Sequence, residues 1–85
     1  MTKNELTEEL YVGGALLADG FEDAHIGVAW QVHATIAMDD RARCIRILIE
    51  RDSMTEEEAE EYFEFNVQGA YMGDATPAFC ELLAP

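Results

Sequence analysis

The first part of the chain shows the loose apolar spacing of an amphipathic helix. Leu6, Leu10 and Leu17 recur at intervals that fit one helical face. Residues 2–5 form a capping-box pattern, in which a threonine and a glutamate three positions later each bond the other's backbone. Two glycines at positions 13–14 interrupt the spacing, so we expect the helix to end or bend there.

Residues 25–38 follow a different pattern, in which apolar positions alternate with others. The alternation is clearest in the second half, where one parity holds Val32, Ala34, Ile36 and Met38. Alternation of this kind is typical of a half-buried strand. An Asp-Gly pair at residues 19–20 predicts a turn before it. One long bent strand and two shorter strands both fit, since no tight hairpin dipeptide divides the segment.

Two further helices and a final strand are predicted after residue 38. The first helix follows an aspartate pair at residues 39–40, which can cap it, and its apolar positions are Cys44, Ile45, Leu48 and Ile49. The second helix begins with another capping box at residues 55–58, and its apolar face holds Ala59, Tyr62, Phe63, Val67 and Ala70. Residues 76–83 predict the strand, with Pro77 near its start, as an edge strand allows.

The order of these elements predicts an α+β fold in a single domain that spans residues 1–85. About three helices grouped on one face of a small antiparallel sheet of two or three strands would bury the apolar positions of both. A chain of this length buries only about 60–65% of the surface that its unfolded form exposes, so we expect a modest core.

The net charge of the chain indicates which kinds of partner it can bind. The chain carries 18 Asp and Glu residues against 5 Lys and Arg, for a formal net charge of −13. Its hydrophobic fraction of 49% is that of a folded protein, so the charge lies on a folded body. We expect no direct binding to nucleic acid or to an anionic membrane, because both are negative. Basic protein surfaces that normally hold nucleic acid are the natural complement.

Six glutamates fall between residues 56 and 64, on the second of the two later helices. Glu56, Glu60 and Glu64 lie four positions apart and would align their carboxylates about 6 Å apart. Glu57 and Glu61 flank this row. One strand of duplex DNA carries a charge every ~3.4 Å, so this face can approximate a phosphate track within side-chain reach. A solvated helix face, with acids favoured near its N-terminus, is the alternative interpretation.

Two other groups of charged residues have separate expected roles, one in the candidate surface and one in pairing within the protein. Asp19, Glu22 and Asp23 form a second acidic cluster beside the predicted turn. We interpret it as an extension of the partner-binding face, and a solvated turn is the alternative. Its spacing does not match a calcium-binding loop, so we expect no metal there. Pairing with neighbouring acids, which would tie the two later helices together, is expected for Arg41, Arg43, Arg46 and Arg51.

No residue pattern points to catalysis or to a cofactor, so we expect a binding protein rather than an enzyme. His25 and His33 have no carboxylate or nucleophile partner at a recognisable catalytic spacing. Together with Cys44 and Cys80 they also lack the short spacings of a zinc site. We expect both thiols to be reduced and buried, as in a cytoplasmic protein. We expect neither a signal peptide nor a membrane span, because the basic-then-apolar start and the long apolar run are missing.

The stretch EEAEEYFEFNVQGAYMGDATPAF, residues 57–79, resembles the ending of a family of small acidic phage and bacterial proteins. Residues 19–28 and 44–52 are also similar to that family, so the likeness covers roughly residues 19–80. Ser53 stands at a helix end where the family typically carries glycine, and a left-handed turn there would cost serine more. In size and composition the chain also resembles the anti-CRISPR inhibitors.

The resemblance to anti-CRISPR inhibitors implies a phage-associated protein that acts in the cytoplasm of a host bacterial cell. It would mimic nucleic acid, occupy a basic surface of a CRISPR–Cas surveillance complex and block target DNA. We expect it to act as a monomer, with the exposed aromatic residues Tyr62 or Phe65 adding contacts beside the acids. The alternative is a phage or bacterial accessory interaction domain whose acidity serves solubility.

Overall fold

The structure, a computed structural model, describes residues 1–83 and confirms the α+β class. Its three α-helices are α1 (Lys3–Gly13), α2 (Arg41–Asp52) and α3 (Glu56–Phe63). Its strands are β1 (His25–Gln31), β2 (Ala34–Asp40) and β3 (Ala78–Cys80). A 3-10 turn, Glu22–Ala24, precedes β1, and a π-helical segment, Glu64–Gln68, continues α3. Among the described residues, no helix combines the length and the apolar composition that crossing a bilayer needs.

The sheet has the order β1-β2-β3 and is mixed rather than wholly antiparallel. β1 and β2 form an antiparallel hairpin that turns at residues 32–33, so the segment 25–38 contributes two strands and not one. β3 pairs with β2 in parallel, with Met38 opposite Ala78. The two helices between β2 and β3 form the long crossover that a parallel pair requires, which is why the last strand runs in the same direction as β2.

The predicted helix starts are confirmed by their capping bonds. Thr2 Oγ1 accepts from the Glu5 backbone N–H at 3.2 Å, and the Glu5 carboxylate accepts from the Thr2 backbone at 3.0 Å. Thr55 and Glu58 form the same reciprocal pair at the start of α3. Asp40 caps α2 by accepting from the Ala42 and Arg43 backbone N–H groups. These bonds satisfy orphan donors, so each helix begins where its local sequence predicts.

The core consists of two clusters. One, under α1, joins Leu6 and Leu10 to Ala37 of β2. The other fills the space between α2, α3 and the loop before β1, and its buried members are Phe21, Ala24, Cys44, Ile45, Leu48, Ala59 and Phe63. α1 touches the sheet at Gly13, where a Cβ atom would clash with the Thr35 side chain, and it is capped by Gly14, which takes a left-handed conformation with φ 71°. The second cluster holds α3, and with it the acidic face, against the protein.

The joint between α2 and α3 uses a left-handed residue. Ser53 follows α2 with φ 56° and ψ 33°, and it is the only non-glycine residue with positive φ among residues 1–83. The structure thus supplies the geometry of this joint, which is the left-handed turn considered from the sequence. The Cβ atom of Ser53 is crowded in this conformation, whereas a glycine would not be.

Replacing Ser53 with glycine should raise the free energy of unfolding by about 0.5–1 kcal/mol, because relief of the left-handed strain outweighs the added chain entropy. Urea denaturation of the purified protein measures the change. Ser53→Ala is the matched control, since alanine keeps the Cβ atom and should give no gain. A Ser53→Gly variant that is no more stable than the Ser53→Ala variant would contradict this account of the joint.

Candidate partner-binding surface

α3 is fixed to the protein by two buried side chains, so its opposite side faces solvent. Ala59 and Phe63 are fully buried. The Phe63 ring meets the Phe79 ring edge-on at a centroid distance of 4.9 Å, and the Arg41 guanidinium lies 5.5 Å from the Phe63 centroid. The acids of α3 are all exposed as a result: Glu56, Glu57, Glu58, Glu60 and Glu61.

Four of these glutamates form the part of the surface that we call the acidic crest: Glu56, Glu57, Glu60 and Glu61. None of the four makes an ion pair within 4.0 Å among the described residues. Glu56 and Glu60 border a shallow groove that Arg46 also lines. Glu61 faces the other side, toward Tyr62 and Phe65. The carboxylates therefore fan across the outer side of the helix rather than forming one straight row.

Glu64 is not part of the crest, which corrects the expectation of a free row from Glu56 to Glu64. The Arg41 guanidinium lies 3.2 Å from Glu64 Oε1 and also donates to the Gln68 side-chain oxygen at 3.3 Å. It lies 3.7 Å from Glu81 as well. Arg41 thus links the start of α2 to the end of α3. This contact confirms the expectation that an arginine pairs with an acid and joins the two helices.

The other arginines contribute less to the contact between α2 and α3. Arg43 pairs with Asp40 at 3.5 Å, and Arg51 pairs with the adjacent Asp52 at 3.0 Å. Both pairs join residues no more than three positions apart in the sequence, so neither links α2 to α3. Arg46 forms no ion pair within 4.0 Å in the described part of the chain. The expectation that arginines pair with acids is confirmed for three of the four, and only Arg41 reaches the acidic helix.

The second acidic cluster is divided by the structure. Asp19 is exposed and lines a cavity of about 340 Å³ together with Tyr62, which places it next to α3. Glu22 and Asp23 instead line a separate groove beside Glu50. Glu22 Oε1 accepts from the Gly20 backbone N–H at 3.2 Å. A hydrogen bond to the backbone of Glu22 itself, together with the bond from Gly20, holds the pKa of Glu22 below its ordinary value. Only Asp19 extends the surface around α3.

A shallow, open cleft of about 440 Å³ lies on the side of α3 opposite the groove that Arg46 lines. Its lining residues are Met54, Glu58, Glu61, Tyr62, Phe65 and Asn66. Phe65 is 77% exposed and Tyr62 is 43% exposed, so both aromatic side chains named from the sequence reach solvent. Asn66 is exposed too, and its amide donates to the Tyr62 backbone oxygen at 3.2 Å. Met54, Glu58 and Asn66 were not predicted as site residues: Met54 precedes α3, Glu58 lies in its first turn and Asn66 follows it in the π-helical segment.

His25 has a carboxylate partner in the structure, which the sequence did not reveal because the two residues are not at a recognisable catalytic spacing. Its Nδ1 lies 2.5 Å from Asp39 Oδ1, and their side chains are 7% and 0% exposed. His25 Nε2 and Asp39 Oδ2 have no hydrogen-bond partner among the described residues. Burial raises the pKa of Asp39, while the bond to His25 opposes that rise. The pair joins the start of β1 to the end of β2, inside the fold and away from the acidic crest.

Both cysteines are free thiols. Cys44 is buried, and burial together with the nearby charge of Asp39 raises its pKa to about 12, so it stays a protonated thiol at neutral pH. Cys80 is half-buried, and its thiol donates to the Asp39 backbone oxygen at 3.6 Å. Within residues 1–83, no three His, Cys, Asp or Glu side chains are grouped to hold a metal ion.

The chemistry that this surface offers is the binding of cations. Its acids accept hydrogen bonds, its aromatic rings attract positive charge, and it lies on a helix that is capped at one end and anchored by Phe63. Comparison with protein-family models, with curated proteins and with solved structures gave no match.

Proposed function

We propose that this protein is a phage-associated inhibitor of the anti-CRISPR type, which mimics nucleic acid and blocks target DNA binding by a host CRISPR–Cas complex. The observation that supports this most is the acidic crest. Within residues 1–83, four exposed glutamates that make no ion pair within 4.0 Å project from one helix of a chain with net charge −13. A basic groove shaped for phosphates offers the positive charges that these carboxylates lack.

The crest suits a groove for nucleic acid better than a single cation site. Glu56 and Glu60 are one helical turn apart, as are Glu57 and Glu61, so the residues of each pair are spaced by about 6 Å along the helix axis. Phosphates along one DNA strand follow each other at ~3.4 Å of axis, and flexible side chains cover the difference. Because the carboxylates fan outward, the crest can meet basic residues on both walls of a groove.

Long-range charge attraction would govern how this complex forms. A strongly negative protein is steered toward a positive groove, so association is fast at low salt and slows as salt screens the charges. The lifetime of the complex would depend instead on a few desolvated contacts. The exposed Phe65 and Tyr62 rings beside the crest are the candidates for those contacts.

Reversing Glu57, Glu60 and Glu61 to lysine should weaken inhibition about tenfold or more, because favourable charge pairs become repulsive. The measurement is a gel-shift titration, in which the protein competes with labelled target DNA for purified CRISPR surveillance complexes of several types. Glu64 stays unchanged, since its reversal would also break the contact with Arg41. All three substituted residues are exposed, so the variant should keep its fold.

A matched control variant tests whether the position of the reversed acids matters, or only the change in net charge. Glu8, Glu9 and Glu50 are exposed acids on α1 and α2, and their reversal to lysine gives the same net charge as the crest variant. We expect this control to inhibit like the wild type apart from a slower on-rate. Equal loss in both variants would reject the crest as the docking face. DNA binding that the wild-type protein never reduces, in any of the complexes, would reject the inhibitor proposal.

An accessory interaction domain remains the second candidate, and the β1–β2 hairpin favours it. Trp30 is 64% exposed and Val32 is 93% exposed at the tip of this hairpin. Residues 24–38 contain no Asp, Glu, Lys or Arg, so this part of the surface is uncharged in a highly charged protein. An apolar partner would bind there, and its binding would survive reversal of the crest but not replacement of Trp30 by serine.

A further inference from the structure

We propose that the cleft beside α3 binds an arginine side chain of the partner in preference to a lysine. This inference rests on the proposed function, because it names the chemistry by which the same surface would recognise a basic partner. The cleft is bounded by two aromatic rings and two carboxylates, from Tyr62, Phe65, Glu58 and Glu61. That combination matches both the flat faces and the fork of N–H groups of a guanidinium.

The aromatic residues provide the first half of the match. Phe65 keeps 77% of its surface open to solvent and Tyr62 keeps 43%, so two aromatic side chains are accessible at one place on the surface. Phe65 and Tyr62 are three positions apart where α3 passes into the π-helical segment, and both line the cleft. A planar guanidinium stacks on such rings, whereas the compact, strongly hydrated ammonium of lysine gains less from them.

The carboxylates provide the second half. Glu58 Oε1 already accepts from the Thr55 backbone N–H at 3.0 Å, which holds the carboxylate in place at the edge of the cleft. Its hydrogen bonds to Thr55 keep the pKa of Glu58 below its ordinary value, so it remains ionised. Glu61 makes no ion pair within 4.0 Å in the described part of the chain. One fixed and one adjustable carboxylate can accept from different N–H groups of one guanidinium.

The cleft has no cation of its own. Neither arginine nor lysine is among its lining residues, in contrast to the groove on the other side of α3, which Arg41 and Arg46 line. Arg51 lines the neighbouring cavity, which shares Tyr62 and Asn66 with the cleft, but its guanidinium is already paired with Asp52 at 3.0 Å. On the α2 side the same cation would compete with guanidinium groups that are already present, so charge complementarity selects the cleft.

Two unstructured peptides of equal length and charge, oligo-arginine and oligo-lysine, test the preference. Their affinities for the full-length protein are measured by calorimetry at low salt, and amide chemical shifts identify the residues that respond. We expect the arginine peptide to bind about two- to fivefold tighter, the increment of one exposed cation–π contact. Shifts should concentrate at residues 54–66. Equal affinities for the two peptides would overturn the inference while leaving the acidic crest as a docking face.

Single substitutions locate the source of the preference. Phe65→Leu should abolish it, whereas Tyr71→Leu should preserve it, since Tyr71 is also 77% exposed but does not line the cleft. Glu61→Gln should weaken arginine binding more than Glu57→Gln does, although both remove one charge from α3. Preference that survives Phe65→Leu would overturn the inference. Failure of the wild-type protein to bind either peptide would reject the proposed function and, with it, the arginine cleft.

Discussion

Replacing His25 with leucine is expected to lower the free energy of unfolding by about 3–4 kcal/mol at neutral pH. Asp39 would then be a fully buried carboxylate whose nearest partner is gone, and removing one member of a buried pair is strongly destabilising. Protonation of Asp39 limits the loss. Protonating a carboxyl group with an ordinary pKa of 3.8 costs about 1.4 kcal/mol for each pH unit between that pKa and neutral pH.

The loss should shrink as the pH falls. Burial raises the folded-state pKa of Asp39 above its unfolded value, so the folded protein binds the proton more tightly than the unfolded chain. Stability from this group is fully present below about pH 4 and is lost as the pH rises through the folded pKa. His25 opposes the rise in the pKa of Asp39. Removing His25 therefore raises that pKa further and extends to higher pH the range in which the folded protein keeps Asp39 protonated. The variant should therefore recover most of its stability near pH 4.

The comparison must be between variants at each pH, because other carboxylates respond in the opposite direction. Glu5 and Glu58 have lowered pKa values from their capping bonds, so their contributions are lost in acid in every variant alike. His33→Leu is the matched control, since His33 lies exposed in the hairpin turn and should change stability by less than about 0.5 kcal/mol. Urea denaturation at neutral pH and near pH 4 measures each difference. A loss for His25→Leu that is equal at both pH values would contradict the account of the buried pair.

Truncating Phe63 to alanine should lower the free energy of unfolding by about 3–5 kcal/mol, the usual cost of removing a fully buried aromatic side chain. The substitution removes the edge-on contact with Phe79 and the ring under the Arg41 guanidinium. It thereby loosens α3 at the end opposite its capping box. Thermal and urea denaturation measure the loss.

Phe65→Ala is the matched control for Phe63→Ala, because the two phenylalanines lie two positions apart and differ in burial. Phe65 is 77% exposed, so its truncation should change stability by less than about 0.5 kcal/mol. The two variants thus separate the anchoring of the helix from its surface chemistry. Similar stability losses in both variants would mean that the ring of Phe63 does not anchor α3.

The sequence predicts those features that depend on residues close together in the chain. The capping boxes at Thr2 and Thr55 join positions three apart, so the pattern alone locates the helix starts. The left-handed Ser53 could likewise be expected from its place at a helix end. Spacing predicts packing for most of the aromatic residues at positions 30, 62, 63, 65 and 71, and this prediction is wrong, because only Phe63 of the five is buried.

Features that join distant parts of the chain could not be predicted in this way. His25 and Asp39 are 14 positions apart, and Arg41 and Glu64 are 23 apart. Neither spacing has a local signature, because the partners meet only once the sheet and the helices have packed. The parallel direction of β3 is of the same kind, since it depends on how α2 and α3 carry the chain back to the sheet. The loss of Glu64 from the free acidic surface follows from such a contact.

The parallel pairing of β3 with β2 also determines the order in which the molecule can assemble. The β1–β2 hairpin closes a short loop, whereas β3 must travel back across two whole helices before it finds β2. Closing the longer loop costs more entropy until those helices have packed. We therefore expect β3 to dock last, and the open edge of β2 is the place where a partly folded chain would pair with a neighbouring chain.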